Sequence, residues 1–272
     1  MKRLMTGIVG VFVVGMFTTT TGCKQEELTY AEAQQALEET VASTKSEAVA
    51  SEVITLTTSF TIGQAVEDAA EELRSFVVSQ VPCSKVTLED ATVTIDFGTL
   101  EDECTFNGHT YAGVASVHIE RNNDGDVVVS HAWDGLTNGD VTLDGGATVT
   151  WSLDDGTRNV AHDAVWSDAT RSVHATGNWT QRLLDPELGL EGGIQVDGER
   201  SWDASGKVWD LQIDAVQMRG QDPVPQAGQY TLTTPEDKVM GLLFERIDKN
   251  TIRVTFTGLK KEHVFEVNSI AK

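Results

Sequence analysis

From Cys83 to the C-terminus, apolar and polar residues alternate with a period of two. That rhythm restricts this part of the chain to antiparallel sheet. Val93, Ile95 and Phe97 alternate with Thr92, Thr94 and Asp96. Tyr111, Ala115, Val117 and Ile119 alternate with Ser116, His118 and Glu120, and Ala147, Val149, Trp151 and Leu153 with Thr148, Thr150 and Ser152. The pattern returns over 158–167, 171–183, 192–200, 207–217, 239–246, 251–257 and 263–268. Between these runs stand turn clusters such as Asn122-Asn123-Asp124-Gly125, Asn138-Gly139, Asp144-Gly145-Gly146 and Asp203-Ala204-Ser205-Gly206, which supply the positive φ of tight hairpins. Roughly a dozen strands joined this way make a meander. No clear helical stretch interrupts them, which disfavours a parallel βαβ fold.

The segment before this region reads differently. Thr29-Tyr30-Ala31-Glu32 has the form of a capping box, and Ala33, Ala36, Leu37 and Val41 follow at helical spacing. The β-branched stretch from Val53 to Phe60 predicts that this helix ends near Glu52. A second helix is expected from Ile62 to Gln80, capped at Thr61. Its apolar stripe is Ile62, Val66, Ala69, Leu73 and Phe76/Val77, its polar face carries Glu67, Asp68, Glu71 and Glu72, and Pro82 stops it. The predicted class is α+β, with two N-terminal helices packed on one face of a large twisted antiparallel meander that would curve into a half-barrel. Residues 29–82 form the helical segment and 83–272 the sheet domain, and 29–272 is expected to be one folded unit.

The chain has 272 residues, with 42 Asp and Glu against 20 Lys and Arg, a net charge of −22. Such an excess repels phosphate backbones and excludes nucleic acid as an expected partner. At 40% hydrophobic and 23% charged, the composition rules out wholesale disorder.

The first 22 residues have the layout of an export signal. Lys2 and Arg3 make a short positive region, and Met5 to Phe17 is a run of apolar and small residues. That run falls short of the ~20 residues needed to cross a hydrocarbon core. It leads into Thr20-Thr21-Gly22-Cys23. The layout resembles the lipobox of bacterial lipoproteins, departing from it at Thr20, where Leu is usual. The resemblance implies cleavage after Gly22, lipidation of Cys23 and a polar tether over 23–28. Lys24 stands where an Asp would signal retention at the inner membrane, so an outer-membrane location is implied, its face undetermined. Anchoring through acyl chains is firm, each buried methylene contributing about 0.8 kcal/mol.

Export would carry Cys83 and Cys104 into an oxidising compartment, where a disulfide is expected and two reduced thiols are the alternative. Closing a loop of that size stabilises by roughly 3 kcal/mol in the chain-entropy model. No CxxC or HxxxH spacing surrounds either Cys, and no metal site is expected. Asn122-Asn123-Asp124-Gly125-Asp126 lacks the twelfth-position Glu of a calcium loop. No GxSxG elbow and no phosphate-cradling Gly loop is present. His118 and His174 fall on the polar side of their strands, whereas His131 and His162 share strand faces with Trp133 and Trp166.

All six Trp lie in the β region. Trp151, Trp166 and Trp179 are spaced like successive strands and suggest a cross-strand ladder. As a set they are either core filler or the wall of an apolar groove. Curved, incomplete barrels plugged by a helix serve lipoprotein carriers of the periplasm in the second way, an analogy of architecture alone. The stretch Ile95-Asp96-Phe97-Gly98, Cys104, Gly108, Tyr111-Ala112-Gly113 resembles uncharacterised bacterial envelope lipoproteins with β-rich exported domains. The expectation is a non-catalytic envelope protein without cofactor, held to the membrane by lipid and engaging an envelope protein. The alternative is a carrier that binds a lipid or other apolar ligand in the concave face, at Trp151, Trp166 and Trp179.

Overall fold

The computed structural model describes residues 26–58, 65–152, 155–220 and 222–269. Cys23 and the signal segment 1–22 lie outside the described residues, as do Lys24 and Gln25 of the tether and Thr61 to Gln64 at the expected start of the second helix.

Helix α1 spans Tyr30–Leu56 and helix α2 spans Val66–Gln80. The capping box forms as expected: Thr29 Oγ1 accepts from Glu32 N, and the Glu32 carboxylate accepts from Thr29 N. The first helix runs past Glu52 to Leu56. Burial of Val53, Ile54 and Leu56 outweighs the modest helix penalty of β-branching. Its buried stripe also differs from the expected one. Ala33 and Ala36 are buried, but Leu37 and Val41 are exposed. The inward seam is Ala33, Ala36, Thr40, Ser43, Glu47, Ala50, Ile54 and Thr57, alternating by three and four residues. Helix α2 begins at Val66 rather than Ile62, because Ala65 before it is extended; from there the expected stripe holds, with Ala69, Leu73 and Val77 buried and Val66 and Phe76 partly so.

Among the described residues fourteen strands follow. The first seven are Lys85–Glu89 (β1), Thr92–Asp96 (β2), Cys104–Phe106 (β3), His109–Arg121 (β4), Val127–Thr137 (β5), Thr142–Ser152 (β6) and Thr157–Ser167 (β7). The rest are Ser172–Leu183 (β8), Ile194–Asp203 (β9), Val208–Met218 (β10), Ala227–Thr233 (β11), Val239–Asp248 (β12), Thr251–Thr257 (β13) and His263–Asn268 (β14). They form one antiparallel sheet in chain order, with β3 as a short hairpin on β4 and with β1 and β14 at the edges. Cys83 and Cys104 are joined by a disulfide that ties the end of α2 to β3.

Two lines of bulges crease the sheet. One crosses β4, β5 and β6 at Gly113 and Gly135, and the other crosses β9, β10 and β11 at Ala215 and Gly228. The two creases share a device. A bulged N–H is accepted by an aspartate on the next strand: Gly135 N by Asp144 (2.8 Å) and Ala215 N by Asp197 (2.7 Å). A backbone donor freed from the ladder thus keeps a partner.

Helix α1 is about 40 Å long at ~1.5 Å per residue, enough to cross about eight strands at ~4.8 Å spacing. It does cross the sheet. Glu32 pairs with Lys238 at the start of β12 (2.7 Å), Glu39 with Arg171 before β8 (2.6 Å), and Glu52 accepts from the Tyr111 hydroxyl on β4. Leu28 is pinned just before the helix, its N–H donating to Gly258 O (2.8 Å).

Candidate functional site

The face of the sheet beneath α1 is mostly apolar, as period-two strands require, but one cross-strand row breaks the rule. The register aligns Val117, His131, Ala147, His162, Gly177, Arg200, Leu211 and Leu232 on consecutive strands from β4 to β11. Three cationic or titratable side chains thus alternate with small residues under a helix. Gly177 is required by space: a Cβ there would sit 2.5 Å from the His162 ring.

The polar positions of the α1 seam meet this row. Thr57 Oγ1 lies 2.9 Å from His131 Nε2. Because Thr57 already donates to Val53 O (2.7 Å), the imidazole Nε2–H is the donor to it. Glu47 Oε2 stands 3.7 Å from Arg200 Nη1 and 3.8 Å from His162 Nε2. Both separations exceed a hydrogen bond, so Glu47 neutralises its neighbours by charge more than by contact. The Nε of Arg200, the Nδ1 of His162 and the Nδ1 of His131 are buried with no hydrogen-bond partner. Burial pushes His131 down to about 4, with the charge of Arg158 acting in the same direction. Burial also lowers His162, against the opposing charge of Glu47, and draws Arg200 below the usual guanidinium range.

Openings flank the helix. On one side a groove of about 810 Å³ runs between Leu37, Val41 and Val49 of α1, Val141 of the β5–β6 turn and Trp166 of the sheet. On the other a pocket of about 280 Å³ lies between Leu37, Thr40 and Thr44 of α1 and the apolar residues of β10 to β12, with Arg200 in its lining. The open face of the sheet carries a polar depression bordered by Asn159, Asn178, Asp197, Glu199 and Gln212. Its amides are already engaged, Asn159 with Asn178 (2.8 Å) and Gln212 with Glu199 (3.1 Å).

Trp151, Trp166 and Trp179 stand on β6, β7 and β8 and all face α1. The register sets them in three different rows, opposite Arg158, Leu143 and Val160, so they form no ladder. Each has an internal partner: Arg158 over Trp151 (5.3 Å), Arg171 over Trp166 (5.0 Å) and His162 edge-on to Trp179 (5.3 Å). Trp166 borders the larger groove. The direct Trp pair is Trp202 with Trp209, opposite in register and stacked at 6.3 Å.

His174 bonds Asp163 (2.7 Å) and His118 bonds Thr92 (3.0 Å) on the open face. His131 and His162 share a row but stand two strands apart, with Ala147 between them. Asn122 accepts from Asp124 N and Asp126 N (3.0 and 2.9 Å), which makes that acidic turn a self-contained hairpin cap. Among the described residues no group of three or more His, Cys, Asp or Glu is placed to hold a metal ion. The pairing of Glu47 with Arg200 has no motif in the sequence to announce it. Its signal is Arg200 on the apolar phase of a strand, in step with Val196 and Trp202.

The chain matches no protein-family model, no curated protein and no solved structure.

Proposed function

We propose that the chain is a lipid-anchored envelope protein, modified at Cys23, whose body has a non-catalytic interaction role at the outer membrane. The observation that carries this reading is the pinning of Leu28. It stands five positions after Cys23, a reach of at most ~18 Å. A lipid on Cys23 would therefore hold the body against the membrane, presenting a fixed surface to envelope partners. The non-catalytic part rests on how the titratable row is used: His131, His162 and Arg200 face partners on α1 within a covered layer.

A second reading is favoured by one feature. The pocket of about 280 Å³ between α1 and β10 to β12, beside Arg200, is space for a ligand, and on this reading the protein is a carrier.

Expression of the full chain and of its Cys23→Ser variant in a Gram-negative host tests the first reading. The wild type is expected in the outer-membrane fraction with an intact mass raised by acyl groups, and the variant outside it. A wild type without added mass, or a variant that still reaches the outer-membrane fraction, removes the lipid anchor.

A further inference from the structure

The pocket on the β10 to β12 side of α1 has a composition that points to a ligand class. Its sheet wall is Leu211, Ile213, Leu232, Met240 and Leu242 together with Tyr230, and Leu37 lines it from the helix. At 280 Å³ it falls near the lower end of ligand pockets, which run from about 300 Å³ upward. Thr40 and Thr44 also line it, but their hydroxyls donate back into the helix, to Ala36 O and Thr40 O (both 2.8 Å). Arg200 is then the one charged donor lining the pocket among the described residues.

The Arg200 side chain is 8% exposed. Its Nε has no partner, and its nearest carboxylate, Glu47, is 3.7 Å away and lies between it and His162. Glu47 balances the charge and the ring of Trp202 lies 5.5 Å from the guanidinium, but a buried N–H without an acceptor is costly, and an acceptor oxygen at the pocket end would satisfy it. The mouth is open at Leu37 and Thr44, both exposed, so a chain has a way in beside the helix.

We infer that this pocket binds a short, single-chain amphipathic carboxylate, its acyl chain against Leu211, Leu232 and Leu242 and its head group on Arg200. The inference rests on the carrier reading and names its ligand class. Volume argues for a single short chain and against a diacyl lipid, and the guanidinium fork suits a planar carboxylate.

Octanoate and 1-octanol, equal in chain and different in charge, are the probes. Binding is measured by titration calorimetry on the full chain in lipid nanodiscs, with empty nanodiscs subtracted. Octanoate is expected to bind at least tenfold more tightly than octanol. Arg200→Met should remove that preference while octanol still binds, which shows the pocket folded. Leu242→Trp, which fills the pocket and leaves Arg200 in place, should abolish both. Equal affinity for acid and alcohol in the wild type overturns the carboxylate assignment and leaves the carrier reading standing. Failure of both probes overturns the assignment and the carrier reading together, without touching the lipid anchor. An Arg200→Met protein that keeps its preference for octanoate places the anion elsewhere and overturns the site.

Discussion

The carboxylate of Glu47 stands 3.7 Å from the guanidinium of Arg200, across the layer between α1 and the sheet. The arginine side chain is 8% exposed and the glutamate 22%, so water screens the pair only in part. Removing one partner strands the other. Glu47→Ala should destabilise the protein by about 2 kcal/mol, below the 3–5 kcal/mol of a fully buried pair because the contact is long and partly wet. The Glu47→Ala, Arg200→Met double variant should lose less than the sum of the two single losses. Denaturant midpoints of the four proteins check this, and strict additivity would refute a coupled pair.

Stability should rise with pH between about 4 and 6.5, and His131 is the cause. Burial holds its folded value near 4, below the ordinary 6.5. The folded state therefore keeps the ring neutral in this window while the unfolded chain takes up a proton. Protons favour the state that binds more of them, so acidification favours unfolding until both states are charged below 4. The full span is on the order of 3 kcal/mol. His162 is lowered also, and adds with the same sign. Glu32, held down at about 2 by the hydrogen bond from Lys238, acts in a lower pH range and does not confuse the reading. Unfolding at pH 4.5 and 7.5 should show a difference that His131→Gln reduces. An unchanged slope in the variant would exclude His131.

Much of this arrangement is readable from residue order, and its limits are physical. The alternation at Ala147, Val149 and Trp151 says which face of β6 is covered, because side chains in a strand have a period of two. It does not say which residue stands opposite. That depends on hairpin lengths and on bulges such as the one between Trp133 and Leu136, which displace everything beyond them. Trp151, Trp166 and Trp179 are thus correctly placed on successive strands and on one face, yet fall in separate rows. The α1 seam is hidden for another reason. Thr40, Ser43 and Glu47 do not look like core, and only the row beneath them, with its own polar groups, makes them the inward residues.

The Cys83–Cys104 bond closes a separation of 21 residues and links the C-terminal end of α2 to the first hairpins. In the chain-entropy model its loss costs about 3 kcal/mol. The double variant Cys83→Ala, Cys104→Ala should unfold at correspondingly lower denaturant. Reductant should lower the wild type to a similar level and leave the variant unmoved. A reductant effect of equal size in both would show that the bond is not its origin.

Gly113 and Gly125 have the same φ, +87°, and opposite surroundings. A Cβ on Gly125 meets nothing within 4 Å, whereas one on Gly113 would lie 2.2 Å from the carbonyl oxygen of Gly135 on the neighbouring strand. Gly125→Ala isolates the backbone term and should cost about 1 kcal/mol. Gly113→Ala adds a clash with backbone at the crease and should cost about 3 kcal/mol or more. Thermal unfolding of the two variants separates the terms. Equal losses would mean that the crease opens without penalty.

Helix α1 should not be uniformly stable, since its two ends are held by different forces. The C-terminal part buries Val49, Val53, Ile54 and Leu56. Each large aliphatic side chain contributes roughly 1.5–3 kcal/mol on burial. Toward the N-terminus the buried side chains are Ala33, Ala36 and Ser43, which bury little area. That end is fastened by Glu32–Lys238 and Glu39–Arg171, ion pairs near the surface of a kind worth at most about 1 kcal/mol each. Amides of residues 33–44 should therefore exchange through local opening at lower free energy than those of 49–56, and raised salt should widen the gap by screening the two pairs. Hydrogen exchange read by mass spectrometry of peptides on either side of Glu47 measures it. Equal protection along the helix would mean that α1 leaves the sheet only as a unit, and that the Arg200 pocket opens only with it.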